Sequence, residues 1–140
     1  MRIVVVAAAI FLAGCATQPT SSDTATKISP DQIVAFGKRP NAPHGTLTVI
    51  RDSGLSGAIC TVRLTVDGID AAFLRTAETA TLYLPSGDRI IGAFYDEAIC
   101  ALGGVREREV RIDDGERKRL RISANANGSL DLSATISSTS

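Results

Sequence analysis

Three cysteines, a single histidine and one run of cations are the residues of this 140-residue chain whose chemistry reaches beyond packing. Cys15 ends an apolar run near the amino terminus, while Cys60 and Cys100 stand far from it and from each other. Redox exchange needs a Cys-x-x-Cys spacing or an electropositive neighbour that lowers a thiol pKa, and neither Cys60 nor Cys100 has one. His44 follows Pro43 in a loop-forming stretch and has no second histidine with which to build a triad or a zinc site, so it reads as a surface residue. The pairs Ser53-Gly54, Ser56-Gly57 and Gly103-Gly104 lack a strand-to-helix context and read as turns, not as a phosphate loop or a nucleophile elbow. No catalytic residue, metal ligand or cofactor is therefore assigned, and the chain is read as a non-enzyme.

The compartment follows from the first fifteen residues. Arg2 supplies one positive charge and Ile3 to Ala13 is an unbroken apolar run, the pattern of a secretory signal peptide. The run is well short of the roughly 20 residues that cross a hydrocarbon core. It closes on Leu12-Ala13-Gly14-Cys15, which resembles the lipobox of bacterial lipoproteins. The resemblance implies that residues 1–14 are cleaved away and that Cys15 becomes a diacylated, then N-acylated, amino terminus. Two or more acyl chains anchor a protein stably, where one binds only marginally. Ala16 follows, not the Asp that retains such proteins at the inner membrane of Gram-negative cells, so the resemblance implies the periplasmic face of the outer membrane. In an exported chain the remaining pair, Cys60 and Cys100, reads as a structural disulfide. Closing a loop of about 40 residues contributes roughly 4 kcal/mol in the chain-entropy model.

Fifteen Lys and Arg balance fifteen Asp and Glu, and 44% of the residues are hydrophobic. Those proportions suit a folded globular domain and remove the electrostatic case for a nucleic-acid partner. Loss of residues 1–14 takes Arg2 away and leaves one more acid than base. With no tryptophan and 4% aromatics, a sugar-stacking platform is poorly supplied.

The elements divide the chain into a signal peptide (1–14), a lipidated tether with a short helix (15–43) and a β domain (44–140). Ala16 to Lys27 is rich in Thr and Ser and reads as solvated tether. Ser29-Pro30-Asp31-Gln32 has a capping-box pattern and predicts a helix of one or two turns, stopped at Gly37 and docked through Ile33, Val34 and Phe36. From Gly45 the apolar residues recur with period two between turn signals, which predicts an all-β fold, a small antiparallel β-sandwich of seven to eight strands. The strands are Thr46 to Arg51, Ala58 to Val66, Ile69 to Phe73, Ala80 to Leu84, Arg89 to Tyr95, Val110 to Ile112, Leu120 to Ala124 and Leu130 to Ile136. Arg89 to Tyr95, apolar on both faces, is placed centrally.

Turn chemistry sets registers. Asp67-Gly68 fits a type I′ hairpin, whose central residues both need φ > 0. A two-residue loop there pairs Val66 with Ile69, Leu64 with Ala71 and Val62 with Phe73. Pro85-Ser86-Gly87-Asp88 reads as a second hairpin turn, and Asn127-Gly128-Ser129 as a turn despite its sequon letters. The cations Arg117-Lys118-Arg119-Leu120-Arg121 admit an anionic ligand, such as a lipid head group or cell-wall polymer. A solvated charged face fits them better. Asp113-Asp114-Gly115 predicts a three-residue hairpin loop that sets Glu109 opposite Arg119, Glu107 opposite Arg121 and Arg111 opposite Arg117, so two of the three pairs are ion pairs worth a few tenths of a kcal/mol each.

The segments Thr48-Val49-Ile50-Arg51-Asp52, Val66-Asp67-Gly68 and Leu82-Tyr83-Leu84-Pro85-Ser86-Gly87 resemble those of small proteobacterial β-sandwich envelope lipoproteins. The last two are similar to the turns of PEGA-type modules, with Ser86 where a second proline is frequent. The resemblance implies a fold and no catalytic residue. It implies a lipid-anchored, periplasm-facing binding or structural module, whose partners are the membrane, through the acyl chains on Cys15, and another envelope protein. Two alternatives are a lysozyme-inhibitor-type lipoprotein, whose Ser-Gly-x-x-Tyr-like loop Ser86-Gly87-Asp88-Arg89 does not match, and a structural lipoprotein of a secretion or surface machine.

Overall fold

The computed structural model of the chain describes residues 17–21, 23–54 and 58–135. The signal segment, the lipidation candidate Cys15, the Ser56-Gly57 turn and Ile136 lie outside the described residues. What is described is all-β, in two sheets. The strands are β1 (Thr26–Lys27), β2 (His44–Arg51), β3 (Val62–Val66), β4 (Ile69–Leu74), β5 (Glu78–Pro85), β6 (Gly87–Tyr95), β7 (Arg106–Ile112), β8 (Arg117–Ala124) and β9 (Leu130–Ala134). One sheet has the order β1-β5-β2-β8-β9, the other β4-β3-β6-β7.

The strands form where apolar and polar residues alternate, because successive side chains on a pleated strand point to opposite faces. In β3, Val62, Leu64 and Val66 are wholly buried while Arg63 and Thr65 are not. Leu47 and Val49 of β2, Leu82 and Leu84 of β5, and Leu120 and Ile122 of β8 join them, with Ile91 of β6 and Ile112 of β7, in one core cluster drawn from both sheets. Strand β6 lies between β3 and β7, the central position its two apolar faces predict. On the outer face of the second sheet the Arg63 guanidinium lies over the rings of Phe73 and Phe94, at 5.5 and 5.4 Å, and pairs with Asp70 and Asp96.

The Asp67-Gly68 turn forms as its chemistry requires, with φ of 50° and 78°, and Val66 faces Ile69. Beyond that pair the register departs from the alternation. A bulge between Leu64 and Thr65 sets Leu64 opposite Ala72 and Val62 opposite Leu74, one residue later than the pattern predicts. Ala71 and Ala72 are both buried as a result, Leu74 takes the core position and Phe73 turns outward. The physical reason is size. Two consecutive alanines can both face inward at a bulge, and the displaced aromatic ring finds Arg63 as a partner.

Two predicted hairpins are not hairpins. β5 belongs to the first sheet and β6 to the second, so the Pro85-Ser86-Gly87 turn carries the chain from one sheet to the other. Backbone groups of the turn find partners there: Ser86 N–H donates to Pro43 O at 3.0 Å, and the Arg89 guanidinium donates to the carbonyls of Pro85 and Ser86 at 2.9 and 2.8 Å. Similarly, β7 pairs with β6, whereas β8 pairs with β2 and β9. Glu109 therefore faces Ile90 and Arg119 faces Thr48, and neither predicted ion pair between β7 and β8 forms across a ladder. Strand β2 captures the Asp113–Glu116 turn: Gly115 N–H donates to His44 O and Thr46 N–H to Glu116 O, both at 2.8 Å. Gly45 makes room for it, since a Cβ there would lie 2.6 Å from Ile112 Cγ2 and 2.8 Å from Glu116 O. The capture makes β2 and β8 parallel, so the sheets are antiparallel-rich and not purely antiparallel.

The amino-terminal stretch differs as well. Much of the predicted solvated tether is laid on the first sheet: Thr17 exchanges bonds with Ala124, Gln18 bridges Ser53, and Thr26 and Lys27 form β1, parallel to β5. Unsatisfied strand-edge groups at Ser53, Ala124 and Thr79 give these polar residues their partners. In place of the helix predicted after Ser29 there is a single 3₁₀ turn, Pro30–Gln32, with Gln32 Oε1 accepting from Ser29 N–H at 3.0 Å. Ile33 already bridges Ala72 as extended chain.

The bulge predicts a reversal of the usual ranking of two neighbours. Leu74→Ala lowers unfolding stability by about 3 kcal/mol, as for a wholly buried leucine, and Phe73→Ala by about 1 kcal/mol, as for a partly exposed ring with one cation partner. Urea unfolding of the two variants with the disulfide intact measures both; equal or inverted losses would return Phe73 to the core register.

Candidate functional site

The carboxyl ends of β2, β6 and β8 and the amino ends of β3, β7 and β9 meet at one end of the domain, where the polar residues the core cannot do without are gathered. Leu47 and Val49 point inward, so the next residue of that face, Arg51, does too. It is 3% exposed. Its guanidinium donates to the carbonyls of Cys60, at 2.7 Å, and Leu74, at 2.8 Å, reaching from the first sheet to two strand ends of the second. The Tyr95 ring lies under it, 5.8 Å from centroid to Cζ. Burial lowers the Arg51 pKa, and the Coulomb fields of Tyr95, Glu97 and Glu78 work against that shift. Arginine keeps its charge in such a setting because its ordinary value is so high. Burial also pushes the Tyr95 hydroxyl up, countered by the nearby Arg51 cation.

Asp52 takes the opposite side of the same strand and is likewise 3% exposed. It accepts from Thr20 N–H at 3.3 Å and lies 3.3 Å from Arg121 Nε. Burial raises its carboxyl above the ordinary 3.8, against lowering by the Thr20 N–H and the Arg121 charge.

Two turns close this end of the domain. Cys60 and Cys100 form a disulfide with Cα atoms 6.5 Å apart, the predicted pairing. Thr61 N–H donates to a Glu97 carboxylate oxygen at 2.7 Å and Asp96 N–H to Thr61 O at 2.9 Å, so the turns are joined by three independent links. Arg106, at the start of β7, donates to Leu130 O of β9 at 2.7 Å and ties the two sheets a second time. A cleft of about 580 Å³ opens beside these groups, bounded by Thr17, Pro19, Asp52, Arg106, Asn125 and Asp131. Chemically the arrangement is a clamp: its cations are spent on backbone carbonyls and its thiols on each other.

The remaining sequence candidates lie elsewhere and apart. The cations of β8 border a groove of about 310 Å³ between β7 and β8, with Arg108 and Arg111 on its other wall. Along this groove the ion pairs are local, Arg111 with Asp88 and Asp113 and Lys118 with Glu116, whereas Arg121, farther along β8, pairs with the buried Asp52. His44 Nδ1–H donates to Ala42 O, 2.9 Å away, and the ring meets Tyr83 edge-on. Among the described residues no three His, Cys, Asp or Glu side chains are grouped to hold a metal ion. Compared with protein-family models and with curated proteins, the chain matches none.

Residue type and motif single out neither Tyr95 nor Arg106, and Arg51 and Asp52 only as part of the segment Thr48 to Asp52, without a role. One signal was legible: in Val49-Ile50-Arg51-Asp52 two opposite charges end an apolar strand, and the alternation aims the arginine at the core.

Two outcomes follow for this clamp. Arg51→Ala leaves two buried carbonyls without their donor and a cavity beside Tyr95, and lowers stability by about 3 kcal/mol in guanidinium unfolding; a loss below about 1 kcal/mol would mean that water replaces the guanidinium. An acid whose native pKa is raised binds its proton more tightly when folded, so its contribution is complete below the ordinary value and is lost as pH rises through the native one. Asp52→Asn removes that component. The stability of the unmodified protein minus that of the variant therefore falls as pH rises from the ordinary carboxylate value of 3.8 through the raised native one and is flat above, as pH-dependent thermal unfolding measures.

Proposed function

We propose that the chain is a non-enzymatic, lipid-anchored protein of the bacterial cell envelope. Acyl chains on Cys15 hold it at the periplasmic face of the outer membrane, and its β domain serves as a binding or structural module for another envelope component. The observation that carries this reading is the sequence Leu12-Ala13-Gly14-Cys15 at the end of the apolar run from Ile3 to Ala13. The Cys60–Cys100 bridge supports it, because disulfides persist in oxidising compartments outside the cytoplasm. In the same reading the two sheets are the layers of a small β-sandwich, supported by the core cluster that draws side chains from both. Thr17, bonded to Ala124, would leave almost no free tether between the lipid and the domain.

Metabolic labelling with an alkyne-bearing palmitate in a Gram-negative host tests the anchor. The unmodified chain takes up label and partitions with outer membranes, and Cys15→Ala takes up none and is soluble in the periplasm. In-cell crosslinking of the same two strains captures an envelope component with the anchored form and much less with the variant. Label retained by Cys15→Ala would overturn the proposal.

A further inference from the structure

The most exposed large apolar residues described in this chain are Ile59, 83% exposed, and Ile99, 79% exposed. Single exposed aliphatic residues are ordinary on protein surfaces. These two are not independently placed. Each immediately precedes a cysteine of the Cys60–Cys100 bridge, whose Cα atoms are 6.5 Å apart, so with one Cα step of about 3.8 Å on either side the two isoleucines stand within about 14 Å of each other on covalently joined turns. The hydrogen bonds of Thr61 to Glu97 and of Asp96 to Thr61 hold the turns in register. Val105, 59% exposed, stands at the same end of the domain, just before β7. The flanking acids are engaged: Asp96 with Arg63 and Glu97 with Thr61 N–H.

The second observation is where the chain enters. Thr17 is bonded to Ala124 at the end of β8, Gln18 to Ser53 and Thr20 to Asp52. This is the end at which Arg51 holds the carbonyl of Cys60. Two residues span at most about 7 Å, so Cys15 lies within that distance of Thr17 whatever path the chain takes. An acyl group on Cys15 and the isoleucine pair therefore belong to the same end of the molecule.

Resting on the lipid-anchor reading, we propose that Ile59 and Ile99 make a second, shallow contact with the bilayer that holds Cys15, seating the domain end-on against the membrane. Two isoleucines alone would not hold a protein at a bilayer. With the acyl chains already inserted, however, the contact is intramolecular, and a high effective concentration favours it. The isoleucines enter the boundary between head groups and acyl chains, and the disulfide keeps them from folding back. The opposite end, with the Asp67-Gly68 turn, points into the periplasm.

The absence of tryptophan from the chain makes the test direct. Full-length Ile59→Trp, Ile99→Trp and, as a control at the far end, Ile69→Trp are each produced in the acylated form. Each is reconstituted in phosphatidylethanolamine–phosphatidylglycerol vesicles with or without brominated acyl chains. Bromines quench the emission of Ile59→Trp and Ile99→Trp at least twofold and leave Ile69→Trp unchanged. If the protein floats with the vesicles but all three variants respond alike, the contact is refuted and the anchor stands. If the protein does not float at all, the anchor reading fails and takes the contact with it. Emission of Ile59→Trp already shielded from iodide in detergent-free solution without vesicles would assign the tip to a second copy of the chain, and would also overturn the proposal.

Discussion

The buried guanidinium of Arg51 is the interaction on which the arrangement of this domain depends. A cation removed from water is tolerated only when its donors are spent and its charge is faced by polarisable groups. Here Nη1 donates to the carbonyls of both Cys60 and Leu74, and the Tyr95 ring lies beneath. Those carbonyls sit at strand ends of one sheet, while Arg51 ends a central strand of the other. The hydrophobic cluster draws the sheets together without choosing their relative position, because apolar attraction is not directional. Hydrogen bonds of 2.7 and 2.8 Å are directional, and they set where β3 begins and β4 ends relative to β2.

The same end of the domain is closed three further ways, by the disulfide, by Arg106 on Leu130 O and by Asp52 between Thr20 and Arg121. The concentration is understandable from the topology. Long connections leave β2 and β6 at this end, and Thr17 to Thr20 arrives there. Loops without internal ladders need other partners for their polar groups, and this end supplies them from side chains. At the far end the connections are short, and backbone bonds such as Gly115 to His44 are joined by local side chains such as Arg89 on the carbonyls of Pro85 and Ser86.

Local chemistry was legible wherever a few neighbouring residues decide the outcome. The approximate places of β2 to β9, though not β1 or the start of β3 at Val62, the burial of Val62, Leu64 and Val66, the backbone at Asp67-Gly68, the central place of β6 and the Cys60–Cys100 pairing could be read from residue types and spacing. The Asp113–Gly115 and Pro85–Gly87 turns were recognisable as turns, yet not as passages between sheets. A turn signal states that the chain reverses or bends; it does not state which strand receives it. The bulge at Leu64 was hidden for a related reason: alternation cannot distinguish Ala71, Ala72 and Leu74 from Ala71 and Phe73 until the opposite strand is known.

By itself the amino-acid sequence determined the all-β class, the apolar run that ends just before Cys15 and the balance of charge, since each is read directly from the residues in their order. The tertiary structure alone decided that β2 and β8 run parallel, that the cations of β8 do not meet the acids of β7, and that Arg51 spans the sheets. Those outcomes join residues far apart in the chain, through the space left by Gly45 and through carbonyls that every residue possesses and no residue type announces. Sequence patterns record side chains, and it was backbone groups competing for partners that chose among the folds those patterns allow.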